Sequence, residues 1–301
     1  MVVVIGLGWL LARSGFLSTT TLGELNRLTY WIGLPALLVH RIAAATPAFD
    51  RVGSILLVLV GTTAIVITIS ALLGRAGRLP GASLATLIHA SYRGNLTFIG
   101  LPVVIYAFAG SSASSAAESA ALIAFVPLVI VYNVVAVIVM QLPGQSGPRS
   151  AMQGLGQRLL GNPILIATVL GALIALAGPD MPIFLDRTLG AIGQMALPLA
   201  LIGIGGGLYA TRLRGQRRWA TRAAVLKTVA TPLIGWFIAL QVGLEADEMR
   251  LALIFLACPT ASAAYVLVRE MDGDGALMAS AIVISYLLAL PSMVLVLSLT
   301  G

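Results

Sequence analysis

The chain has 301 residues, of which 59% are hydrophobic and 10% charged, and its mean hydropathy is +1.01. A soluble domain is about 45–50% apolar and about 25% charged, so a single water-surrounded core is excluded and lipid must solvate much of the chain. The 18 basic and 11 acidic residues leave a net charge of +7, but the basic ones fall in short connections between apolar runs, which points to membrane topology rather than nucleic acid.

Hydrocarbon offers no partner for an unpaired backbone amide, so spans must be helices or a closed barrel. The apolar runs are continuous, as in 55–73 and 120–142, whereas barrel strands alternate. Helices are therefore expected throughout. The first run, 1–12, is apolar from Val2 and has no basic leader, unlike a signal peptide. It is shorter than the roughly 20 residues a span needs, and a trimmed native N-terminus is expected. Nine further spans are predicted at 28–45, 52–73, 82–109, 116–142, 163–177, 189–209, 220–242, 251–268 and 277–299. Pro35, Pro198, Pro232 and Pro291 lie inside the second, seventh, eighth and tenth. Gly94, Gly100 and Pro102 break the fourth, and Pro259 breaks the ninth. A connection at 143–158, rich in Gly, Gln and Ser, divides the chain into 1–142 and 159–301.

Alternate connections gather twelve arginines on one side: Arg13, Arg27, Arg75, Arg78, Arg149, Arg158, Arg212, Arg214, Arg217, Arg218, Arg222 and Arg269. Arg41, Arg51, Arg187 and Arg250 fall on the other, with Arg93 and Lys227 inside spans. The positive-inside rule makes the first side cytoplasmic, which puts both termini outside.

The two parts also resemble each other. A shift of 163 residues lays Gly8, Leu10, Ala12, Gly15 and Leu22 on Gly171, Leu173, Ala175, Gly178 and Leu185, and Leu34-Pro35 on Leu197-Pro198. It lays Asn95-Leu96-Thr97 on Cys258-Pro259-Thr260. Five spans is an odd number, so two such halves would be inverted in the membrane. Inverted repeats with interrupted helices are a transporter architecture, with the site where the breaks meet. Half-helix N-termini carry partial positive charge, which suits an anion.

The fourth run holds Arg93-Gly94-Asn95-Leu96-Thr97 in mid-span. Intramembrane ionisable residues are expensive and usually functional. Arg93 is expected to attract an anion and Asn95 and Thr97 to hydrogen-bond it, the alternative being an arginine that snorkels to the interface. The ninth run supplies Cys258-Pro259-Thr260-Ala261-Ser262 and Tyr265, which either line a pocket with the fourth or merely let helices pack closely. Lys227, the one lysine, either pairs with substrate or snorkels. Asn133 and Gln194 are weaker candidates. Gly94, Gly100, Pro102, Cys258 and Pro259 are expected to shape the breaks, and Pro35 and Pro198 to kink. His89 reads as a packed histidine, and 270–274 as a solvated acidic turn. His40 and His89 are too separated for a metal site, and one cysteine allows no intrachain disulfide. No Walker A sequence, HExxH or paired acidic motif is present, so no cofactor is expected.

The run from Arg93 to Pro102, with Gly15-Phe16-Leu17, Leu34-Pro35-Ala36-Leu37-Leu38, Gly161-Asn162-Pro163, Leu197-Pro198-Leu199-Ala200-Leu201 and Lys227 with Pro232, resembles the prokaryotic branch of the auxin efflux carrier family over nearly the whole chain. That family is similar in fold to bile acid–sodium symporters. The resemblance implies ten spans in two inverted five-helix repeats, crossed broken helices four and nine, a mobile domain on a scaffold, and a homodimer. It also implies small carboxylate substrates such as malate, malonate or an auxin-like acid. At Cys258 the sequence departs from plant members, which carry asparagine before the proline. The expectation is therefore a secondary carrier of a small organic anion in a bacterial inner membrane. Coupling to H+ is open, and Na+ is disfavoured because no carboxylate lies in the fourth or ninth span, where the breaks cross. The rivals are a sodium-coupled symporter of bile-acid-like anions and a membrane receptor without transport.

Overall fold

The structure, a computed structural model, describes residues 2–44, 49–109, 114–140, 161, 163–178, 181–210 and 216–300. The connection at 143–158, Asn162, Arg212 and Arg214 lie outside the described residues. Fourteen α-helices are described: α1 Val2–Arg13, α2 Thr19–Leu28, α3 Leu34–Ala43, α4 Phe49–Ala76, α5 Gly81–Tyr92, α6 Leu101–Phe108, α7 Ser114–Met140, α8 Pro163–Ala177, α9 Ile183–Ala210, α10 Arg217–Val225, α11 Thr231–Val242, α12 Ala246–Ala257, α13 Ala263–Glu270 and α14 Gly275–Thr300. Among the described residues there is no β-strand, only an isolated bridge between Gly94 and Thr260.

Among the described residues, five stretches are long and apolar enough to cross a membrane: Val52–Ala76, Ile123–Met140, Ile183–Gly207, Arg217–Val242 and Gly275–Thr300. The helices α1 and α8, of 12 and 15 residues, are shorter than a full span. The second helix begins earlier than the apolar run implied, because Ser18 caps it through the amide of Thr21 at 3.0 Å, satisfying one of the amides a helix start leaves open.

Prolines explain three local widenings. Leu34-Pro35, Leu101-Pro102 and Thr231-Pro232 each follow a single π-helical turn, Thr29–Gly33, Leu96–Gly100 and Leu226–Ala230. In each, the residue before the proline donates its amide five residues back, to Thr29, Leu96 and Leu226. A proline lacks the amide and crowds the preceding turn, and widening that turn relieves the clash without ending the helix. Pro198, expected to kink like Pro35, lies inside α9 with no π-helical turn before it.

The helices sort into two compact units that cut across the two sequence halves. The first is Met1–Phe49, Phe108–Val126 and Gln157–Thr211; the second is Asp50–Ala107, Pro127–Gly156 and Arg212–Gly301. In the first, α1 and α3 pack on α9, and α3 also packs on α8. Glycines set the approach. A Cβ on Gly8 would meet the backbone of Ile202, one on Gly205 that of Ile5 and Trp9, and one on Gly193 that of Leu37. Small residues let backbones approach where lipid supplies no hydrophobic drive between helices. His40 Nδ1 lies 2.9 Å from Asp186 Oδ1 between α3 and α9. In the second unit α14 packs on α5, α10 and α12. Leu59, Leu87, Phe255, Leu256, Leu277 and Met278 are fully buried there.

Candidate functional site

The second unit contains both broken helices, and their breaks meet. The helix α5 stops at Tyr92 and resumes at Leu96; α12 stops at Ala257 and resumes at Ala263. The unwound segments run antiparallel. Asn95 N donates to Pro259 O at 2.8 Å, and Ala261 N donates to Arg93 O at 2.9 Å. Pro259 has no amide to give, so the pairing uses its carbonyl. A helix interrupted inside a span leaves orphan backbone groups; here each break supplies partners for the other.

Side chains close what the backbone leaves open. Thr260, fully buried, donates its hydroxyl to Ala90 O at 2.9 Å, one of the last carbonyls of α5. Its amide donates to Ser285 Oγ at 2.9 Å. Lys227, also fully buried, donates from Nζ to Leu256 O at 2.6 Å, one of the last carbonyls of α12. The snorkelling alternative for Lys227 is thereby overturned. Asn95 is buried: its Oδ1 accepts from Phe98 N at 3.1 Å and caps the resumed helix, while its Nδ2 donates to Tyr286 OH at 2.6 Å. Cys258 Sγ donates to Ile254 O at 3.3 Å. Gly100 and Pro102 lie in the resumed helix rather than in the break itself. Gly100 matters through proximity, since a Cβ there would stand 3.0 Å from Cys258 Sγ and from Phe255.

The other predicted residues are accessible. Arg93, the first residue past α5, is half-buried, and its Nη2 donates to Asn133 Oδ1 at 2.8 Å. Thr97 is half-buried, Ser262 is exposed at the start of α13, and Tyr265 is 39% exposed. Gln194 belongs to the first unit and is exposed. The arrangement thus masks the negative ends of α5 and α12 with a hydroxyl and an ammonium. It leaves a guanidinium and hydroxyls near the positive ends of the resumed helices, a combination that favours an anion.

Three partners were missed or undervalued. Ser285 and Tyr286 fasten the break residues to α14, and Asn133 orients Arg93. All three are polar residues in otherwise apolar runs; the ionisable-residue criterion that singled out Arg93 passes over them, and only the broader cost of burying any polar group marks them. His89 is a packed histidine, fully buried with Nδ1 3.0 Å from Tyr92 OH, which donates to Tyr132 O at 3.3 Å. The acidic turn is more than solvated: Asp274 accepts from Ser83 Oγ at 2.9 Å and from Leu277 N at 3.0 Å, tying α5 to the start of α14.

Apolar helices of spanning length, with two interrupted helices joined at their breaks, suit an integral membrane protein of the transport class. The chain belongs to the membrane transport protein family, Mem_trans, which it matches over residues 1–297, the family to which the auxin efflux carriers belong. It is 26% identical over 281 residues to a protein of Rhizobium meliloti (strain 1021) described as "Putative malonate transporter", covering 89% of this chain and 83% of that one.

Proposed function

We propose that this protein is a secondary carrier of a small organic anion, a carboxylate such as malate, malonate or an auxin-like acid, working by alternating access. The observation that carries it is the pairing of the two unwound segments with Arg93 at its edge. Arg93, Thr97, Ser262 and Tyr265 form the accessible set that meets the substrate. Asn95, Thr260 and Lys227 hold the breaks in shape, since their polar atoms are engaged with protein and they are buried. The description given to the Rhizobium meliloti relative favours a dicarboxylate. The unit holding both breaks is the transport domain and the other the scaffold.

Ten spans in two inverted repeats remain the best reading of the connectivity. Gly15 and Gly178, 163 positions apart, end α1 and α8 with φ of 78° and 73°. Arg78 and Gly243 follow α4 and α11 with φ of 53° and 76° and are 165 apart, as are Arg93 and Cys258, the first residues past α5 and α12. The offset thus grows by two between these points, and the breaks align Arg93, rather than Asn95, with Cys258.

Purified protein in liposomes should take up radiolabelled malonate or malate saturably. Absence of flux across a panel of carboxylates, with the protein folded and binding one of them, would favour the receptor instead. Uptake that requires Na+ would favour the symporter.

A further inference from the structure

Lys227 presents an unusual combination. It is fully buried in the second unit, in the π-helical turn that precedes Thr231-Pro232. Among the described residues no carboxylate lies within ion-pair distance of it, and its one hydrogen bond is to Leu256 O. A Cβ on Gly94 would lie 3.2 Å from its Cε and 3.4 Å from its Nζ, so the ammonium sits against one unwound segment while bonded to the helix end that leads into the other. A buried charge without an opposite charge is costly. The compensation here is the carbonyl end of a half-helix, worth roughly half a negative charge. Unwound carbonyls and half-helix C-termini are where secondary transporters coordinate their coupling cations.

We propose that the Lys227 ammonium is a tethered substitute for a coupling cation: it occupies the carbonyl site at the end of α12, makes the protein independent of Na+, and on removal leaves a site for a small monovalent cation. Lys227 is a positioning residue in this assignment, holding the two breaks together rather than touching substrate. The inference rests on the transporter reading only for its flux consequence. Its thermal consequence stands alone.

The test is melting of the purified full-length protein at equal ionic strength in NaCl, LiCl or N-methyl-D-glucamine chloride. Wild type should melt at the same temperature in all three. Lys227→Ala should melt lower in N-methyl-D-glucamine and rise by about 3–5 °C in Na+ or Li+ at about ten times the dissociation constant. Lys227→Met, which refills the volume without charge, should show no cation response. In liposomes, Lys227→Ala flux should fall about tenfold or more without Na+ or Li+ and recover with either. A wild type stabilised specifically by Na+, or a Lys227→Ala protein that melts alike in all three salts, overturns the proposal. If Lys227→Ala folds in no salt, Lys227→Ser, which likewise leaves Leu256 O open to a cation, decides by the same two outcomes. A specific cation response without flux from either protein would instead count against the carrier reading alone.

Discussion

The hydroxyl of Thr260 donates to the carbonyl of Ala90 at 2.9 Å, so a side chain from one unwound segment completes the helix that ends at the other. Both groups are buried. An unmade buried hydrogen bond leaves its carbonyl with the full desolvation penalty, about 1–3 kcal/mol. Thr260→Val, nearly isosteric, should therefore lower the melting temperature clearly, and Thr260→Ser should lower it much less. Equal melting of the two variants would mean that the hydroxyl contributes nothing.

Asn95 and Tyr286 form a second link, from the break to α14. Tyr286→Phe removes that bond, together with the hydroxyl's interaction with Ser262, and should cost about 0.5–1.5 kcal/mol. Asn95→Ala also removes the cap on Phe98 N and should cost about 1 kcal/mol more. Because both changes delete the same bond, the double variant should be less destabilised than the sum, with a coupling above about 0.5 kcal/mol. A double-mutant cycle on chemical unfolding reads it, and strict additivity would remove the link.

Arg93 is the proposed anion contact. Arg93→Ala should abolish carboxylate flux. Arg93→Lys should retain a small part of it, since an ammonium keeps the charge but loses the planar fork that grips a carboxylate. Asn133→Ala should mainly raise KM, because Asn133 orients the guanidinium from 2.8 Å. Initial-rate uptake over a range of concentrations separates these, and undiminished transport by Arg93→Ala would refute the assignment.

Two glycines on α1 should respond in opposite directions. A Cβ on Gly8 would lie 2.8 Å from Ile202 Cα, whereas one on Gly6 meets nothing within 4 Å. Gly8→Ala should destabilise by about 1–3 kcal/mol through overpacking. Gly6→Ala should be neutral or stabilise by up to about 1 kcal/mol through helix propensity. Paired melting curves distinguish them, and a common sign for both would contradict the close packing of α1 on α9.

Membrane residence, helical architecture and the location of both breaks were legible in the sequence because each has a local cause. Continuous apolar runs select helices, and Gly94-Asn95 and Cys258-Pro259 are poor helix residues in mid-run. Which polar atoms would meet was not legible. Asn95 and Tyr286 are 191 positions apart and Thr260 and Ala90 are 170 apart, and no local pattern encodes such pairings. The same limit applied to Lys227, where composition allowed a snorkelling cation and only the packing of α12 against the turn that carries it set the ammonium on Leu256 O. Glycine is the sharpest case. Gly6 and Gly8 are indistinguishable as letters two positions apart, and what separates them is the backbone of Ile202. The sequence by itself determined the solvent, the helices and where they fail. The tertiary structure decided how the failed ends are satisfied, because a carbonyl freed in a dry interior bonds whatever donor the fold brings to it.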